Sequence, residues 1–296
     1  MESLRTFLEL LHTFRYAFLA GAAVAIACSL LSPLVVYKRM AFIGEGISHA
    51  GFGGLGLALL ASVWVPQVSR PGWTDLVLAL SCVATALIIG RLSVAGQIES
   101  DSAVGVGLVV AMAIGIAGMD LYSYLRPDAW RPDVHSLLFG DILSADPAGA
   151  AWAWVVALLT GLLMAVAYKH LVFYAFDEEG ALLFGVPVRA LHYVLLAVMA
   201  LAIVAAMRLV GVVLVTALMV MPGLIGRSLA AGFGGVLAWS LGSGLAGVLL
   251  GLLLVVGLKR FSSGPVVVLV FCAMLCAAAV YRKIVSRRKQ ARATRL

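Results

Sequence analysis

The run FGGVLAWSLGSGLAGVLLGLLLVVG fills residues 233–257 without a single charged side chain. About 20 helical residues cross a hydrocarbon core of roughly 30 Å, so a run of this length and composition reads as a membrane span. Inside lipid the backbone has no water to bond, and a helix pairs its N–H and C=O groups within one segment. The short alternating segments of an outer-membrane barrel do not occur, so the fold class reads as all-α.

The same pattern recurs on both sides of this run. Nine apolar stretches are predicted to span, at about 16–36, 42–64, 74–90, 102–119, 148–168, 190–207, 209–225, 233–257 and 265–281. If the first stretch, or the tight pair around Arg208, is counted differently, eight spans result and the N-terminus changes side. The composition agrees: 63% of the 296 residues are hydrophobic and 12% charged, with a mean hydropathy of +1.09. A soluble domain is nearer half apolar and a quarter charged, because water must be met over its whole surface. The 31 glycines cluster inside spans, as at Gly51, Gly53, Gly54 and Gly56, or Gly247 and Gly251. Small residues let helices approach closely, so these read as packing surfaces rather than phosphate loops.

The net charge of +7 is not spread evenly. Arg282, Lys283, Arg287, Arg288, Lys289, Arg292 and Arg295 crowd the last fifteen positions, and without them 14 basic residues face 14 acidic ones. A neutral body with a basic tail reads as a membrane domain over 1–281 and a cytoplasmic anchor over 282–296 beside anionic headgroups. It argues against nucleic acid as a partner. The short loops alone do not orient the chain, since a cytoplasmic C-terminus puts six of the remaining basic residues inside and eight outside. The tail decides the orientation. Residues 1–12 carry Glu2, Arg5 and Glu9 without a small-residue cleavage site, so they do not read as a cleavable signal. Cys28, Cys82, Cys272 and Cys276 all fall in apolar stretches without zinc-ribbon spacing and read as packing residues.

Two connections are too long to be simple turns. Residues 120–147 hold Asp120, Asp128, Asp133, Asp141 and Asp146 among prolines and fall outside in this topology. The other, about 169–189, falls on the cytoplasmic side and contains a short capped helix. Asp177 is a good N-cap, Glu178 and Glu179 complement the positive helix end, Gly185 ends the helix and Pro187 prevents its continuation. Its apolar residues Leu182, Leu183 and Phe184 need a surface to pack on. One reading is a docking helix for a cytoplasmic partner; the other is a helix lying on headgroups, which its acidic start fits poorly.

The stretch Phe42-Ile43-Gly44-Glu45-Gly46-Ile47-Ser48-His49-Ala50 opens a run that stays apolar to Val65. Glu45 and His49 are four apart and share one helix face. An ionisable residue within a span is costly unless it is paired or faces water, which makes it a functional candidate. A carboxylate with an imidazole suits borderline divalent ions such as Mn²⁺, Fe²⁺ or Zn²⁺. The alternative is a Glu–His hydrogen bond that stabilises the helix start. His135 and Asp141 are weaker ligand candidates, lying in a loop, and His192 is weaker still. Met219 and Met221 read as core.

Taken in order, these motifs resemble a known family. Tyr37-Lys38-Arg39-Met40 leaves the first span, and the Gly44-Glu45 to Ser48-His49-Ala50 run follows. Asp101-Ser102-Ala103-Val104-Gly105 opens a span, and Leu138-Phe139-Gly140-Asp141-Ile142-Leu143 comes next. Asp177 to Gly185 precedes Val210-Gly211, Leu214-Val215 and Ala217-Leu218, ending at Pro222. The chain is similar over about residues 15–280 to the permease family of bacterial ABC transporters for zinc, manganese and iron.

That resemblance implies a type II ABC importer permease, with the all-helical fold shared by vitamin B12 and siderophore importers. It implies a homodimer in the bacterial inner membrane, two cytoplasmic ATPase subunits and an extracytoplasmic metal-binding protein. The family's acid–histidine pair falls on Glu45 and His49. Its ATPase-coupling segment falls on Asp177, Glu178, Glu179, Gly180, Ala181 and Gly185. Where the family usually has Asp, this chain has Glu45, whose longer side chain still coordinates.

The chain has no Gly-x-x-x-x-Gly-Lys-Ser/Thr loop, so ATP hydrolysis is expected on another polypeptide and no enzyme activity on this one. No permanently bound cofactor is expected; a zinc, manganese or iron ion would be the substrate. A proton-coupled secondary transporter, with Glu45 and His49 as relay, is the rival reading, although paired repeats are not evident. A membrane hydrolase would need more than one histidine and lacks His-Glu-x-x-His.

Overall fold

The computed structural model describes residues 13–69, 72–94, 100–127, 140, 142–258 and 262–293. All regular structure among them is helical. In chain order the α-helices are α1 (Arg15–Tyr37), α2 (Ala41–Ala61), α3 (Trp73–Val94), α4 (Ser100–Leu125) and α5 (Pro147–Phe176). After these come α6 (Glu178–Leu183), α7 (Val188–Leu229), α8 (Phe233–Leu258) and α9 (Ser263–Ala293).

Seven of these helices are long and apolar enough to cross a membrane. The 21-residue α2 has the length, about 31 Å at 1.5 Å per residue, but its glycines, Glu45, Ser48 and His49 dilute its hydropathy. The six-residue α6 is too short to cross.

The helix α7 has 42 residues, or about 63 Å of helix, twice the thickness of a bilayer core. It does not run straight. Arg189, near its start, lines a crevice with Lys38. The Arg227 guanidinium, near its end, lies 5.6 Å from the centre of the Tyr37 ring. Both ends of α7 therefore sit at the Lys38 face. Arg208, between them, pairs with Asp75 at the start of α3, which is the opposite face. The chain goes across and comes back.

The reversal occurs at Gly211, whose φ of 76° and ψ of 165° are not helical. A side chain disfavours that conformation, so glycine is the residue that permits it. The limbs 188–210 and 212–229 correspond to the two spans read separately in the sequence. With α2, the described residues hold nine helical segments of about crossing length, and α9 passes the Lys38 face, where Tyr281 and Arg282 share a crevice with Arg227 to Ala231.

Helices outrun the apolar stretches that mark them, because lipid limits the buried part of a helix and not its ends. The loop expected over 120–147 begins later, since α4 continues through Leu125. The first part of 169–189 prolongs α5 to Phe176, and α9 carries the basic tail as helix through Ala293.

The most enclosed helices are α1 and α7, while α4 and α9 lie at the periphery. Glycines set the closest approaches. On α2, a Cβ at Gly53 would meet the Ala111 carbonyl at 2.8 Å, and one at Gly56 would strike the Gly115 backbone of α4. Gly247 and Gly251 of α8 receive Phe271 and Val267 of α9 in the same way. Backbones this close gain dispersion contacts along a whole seam, which is how helices hold together when lipid competes for apolar surface.

Candidate metal pathway and coupling site

The first element of the site is the start of α2. The chain leaves α1 through Lys38, Arg39 and Met40, a tight elbow in which Arg39 has a φ of 56°. The Met40 N–H donates to the Val35 carbonyl at 2.8 Å, and the Met40 carbonyl accepts from Ile43 and Gly44. Glu45 follows about 6 Å, and His49 about 12 Å, along the axis from Ala41. Both lie in the half of the crossing nearer the Lys38 face.

His49 Nε2 and Glu45 Oε1 are 3.1 Å apart. His49 is mostly enclosed, and its Nδ1 is buried without a hydrogen-bond partner. Two donor atoms about 2.1 Å from one ion and about 90–110° apart lie about 3.0–3.4 Å from each other. The spacing therefore suits a shared proton or a shared cation. Among the described residues no third His, Cys, Asp or Glu joins the pair. His135 and Asp141 lie outside the described residues. His192 lies elsewhere, its Nδ1 hydrogen-bonded to the Tyr174 hydroxyl at 2.8 Å.

The second element is α6. Asp177 caps it as its sequence requires, Oδ1 accepting from the Gly180 N–H at 2.8 Å. Gly185, at φ 77°, ends it, and the Val186 N–H donates back to the Ala181 carbonyl at 2.9 Å. Ala181 is buried against the bundle. Leu183 and Phe184 are 88% and 81% exposed. This apolar surface lies beyond the end of the crossing helices, at the face where charged residues collect.

Sequence reasoning did not find the partner of Glu178. Its carboxylate forms an ion pair with Lys38, 140 positions earlier. The Lys38 ammonium also donates to the Tyr174 carbonyl at 3.4 Å and stands 4.0 Å over the Tyr174 ring. Glu178, Lys38, Tyr174 and His192 thus tie α6 to the α1–α2 elbow, to α5 and to α7. A crevice of about 510 Å³ opens beside them. The signal available in the sequence was Lys38 itself, inside the Tyr37–Met40 motif, without any indication of what it meets.

At the opposite face Arg208 pairs with Asp75. Gly140, at φ 62°, lies so near the reversal that a Cβ on it would run into the Val210–Gly211 backbone. Gly140 and Gly211, some seventy positions apart in the sequence, meet at one packed corner of the fold.

Seven long apolar helices, one of them doubled back at Gly211, with a short capped helix protruding between α5 and α7, define a polytopic helical membrane protein. The chain belongs to the ABC 3 transport family, whose model matches residues 11–282. It is similar to the manganese transport system membrane protein MntC of Halalkalibacterium halodurans, 30% identical over 75% of this chain and 73% of that one. It is also similar to the chelated iron transport system membrane protein YfeD of Yersinia pestis, 28% identical over 92% of this chain and 88% of that one. Among solved structures, PsaBC from Streptococcus pneumoniae in complex with Fab superimposes with a TM-score of 0.78. It is 22% identical and covers 95% of this chain and 99% of that one, a likeness of fold. The all-helical permease architecture expected from the sequence is present.

Proposed function

We propose that this chain is the membrane-spanning subunit of an ATP-driven importer for a divalent transition metal: zinc, manganese or iron. The observation that carries the reading is the Glu45–His49 pair, 3.1 Å apart near the start of a crossing helix. A carboxylate and an imidazole with that spacing offer one cation two ligands of the borderline class such ions take. Water, or a second copy of the chain in a homodimer, completes the coordination.

In this reading the Lys38 face is cytoplasmic. Lys38, Arg39, Arg189, Arg227 and Arg282 gather there, as expected where basic residues are retained during insertion. The exposed Leu183 and Phe184 beside Glu179 form the seat of a cytoplasmic ATPase subunit, one for each permease. An extracytoplasmic metal-binding protein delivers the ion at the Asp75 face, and the complex works in the bacterial inner membrane. Closure of the ATPase pair pushes on α6, rocks the crossings and switches access to the Glu45–His49 pair.

Uptake of radiolabelled manganese, iron and zinc into proteoliposomes holding the assembled complex tests this directly. Glu45→Ala or His49→Ala is expected to lower ATP-dependent uptake by about tenfold or more while membrane insertion is kept. Unchanged uptake in both single variants would sink the site assignment.

A further inference from the structure

We infer that Lys38 is a positioning residue that carries movement of α6 to the Glu45–His49 helix, an inference that rests on the importer reading above. Along the chain, α6 is joined to α5 and α7 and has no link to α2. Among the described residues, the ion pair between Glu178, its first residue, and Lys38 joins it to the elbow that leads into α2.

The far side of that link is stiff. The Lys38 N–H donates to the Leu34 carbonyl at 2.9 Å, Arg39 to Val36 at 3.3 Å and Met40 to Val35 at 2.8 Å. These bonds fold the elbow onto the end of α1, with Arg39 at φ 56°, and the Met40 carbonyl accepts from Ile43 at 3.1 Å and Gly44 at 3.3 Å in the first turn of α2. Glu45 sits seven positions after Lys38. A displacement of Lys38 therefore reaches the acid–histidine pair through hydrogen-bonded backbone.

The near side is a set of side-chain contacts. The Lys38 ammonium is mostly enclosed, gripped between the Glu178 carboxylate, the Tyr174 carbonyl and the Tyr174 ring. Screening by water weakens an exposed pair, and this one is partly withdrawn from water. Beside it, the 510 Å³ crevice lined by Met40, Ile43, Leu182 and Val188 leaves α6 room to shift. Contact on one side and space on the other is the arrangement a moving part requires.

The test compares Lys38→Met, Glu178→Gln and the double variant in proteoliposomes with the ATPase and binding protein. Two quantities are read: ions imported per ATP hydrolysed, and the amount of ATPase retained on the permease. Each single variant is expected to lower the import ratio by about tenfold, and the double variant no further, since both break one contact. Lys38→Met is expected to retain the ATPase, and Lys38→Arg to keep the wild-type ratio.

An unchanged ratio in Lys38→Met overturns the inference. So does a double variant that falls by the product of the singles, a Lys38→Met permease that no longer holds its ATPase, or a Lys38→Arg variant as uncoupled as Lys38→Met. A wild-type complex that imports no metal overturns the importer reading itself. If the wild type imports and His49→Ala does not, that reading stands and the Lys38 step alone is under test.

Discussion

The two faces of the membrane domain are fastened in different ways. At the Lys38 face the helices are tied by side chains: Glu178 to Lys38, Lys38 over Tyr174, and Tyr174 to His192. At the Asp75 face, among the described residues, the ion pair of Arg208 and Asp75 stands beside a corner where backbone rests on backbone, Gly140 against Val210 and Gly211. Side chains can change rotamer and partner, whereas two backbones in contact have no such freedom. The difference assigns compliance to the face that carries α6 and rigidity to the face across the membrane.

Breaking the rigid corner has the largest expected effect. Gly140→Ala drives a Cβ into the Val210–Gly211 backbone from a left-handed position and is expected to destabilise by about 3 kcal/mol or more. Gly211→Ala, which imposes a side chain at φ 76°, follows at about 1–3 kcal/mol. Thermal unfolding of the detergent-purified protein measures both, and a wild-type Tm in Gly140→Ala would show that the corner yields.

Next comes the ion pair at the same face. Arg208 and Asp75 are 46% and 30% exposed, so Arg208→Met is expected to cost only about 1 kcal/mol. A loss as large as that of Gly140→Ala would place the rigidity in the charges instead of the backbone. The smallest stability effect is expected at the compliant face. Leu183→Ser on α6 removes a side chain that touches little and should change stability by less than about 0.5 kcal/mol. ATPase retention by the same variant should nevertheless fall. Equal retention would remove the docking role of that surface.

Much of this arrangement was legible in the sequence, for reasons specific to lipid. The crossings announce themselves because each must be apolar for its whole buried length, and α7 was read as two spans although its helix is nearly unbroken. The sequence even placed α2, whose hydropathy is diluted by Glu45, Ser48 and His49, because the run from Phe42 stays otherwise apolar to Val65. The capped α6 was legible from Asp177, Gly185 and Pro187, since capping is local chemistry.

The cross-links were not legible. Lys38 and Glu178 are 140 positions apart, and Asp75 and Arg208 are 133 apart. Which charges meet depends on how the helices are ordered around the bundle, and hydropathy contains no such order. The proposed metal site has a related limit: spacing finds two candidate ligands on one helix, while any further ligand depends on neighbours or on a second chain.

Gly211 has a consequence for biosynthesis. From Val188 to Leu229 the newly made chain offers an inserting machinery no hydrophilic loop between two crossings, only Arg208 near the turn. The two limbs can then enter the bilayer together, as a hairpin whose tip carries one positive charge. Ribosomes work from the N-terminus, so Asp75 is made before Arg208. The carboxylate that receives the arginine is thus laid down ahead of it.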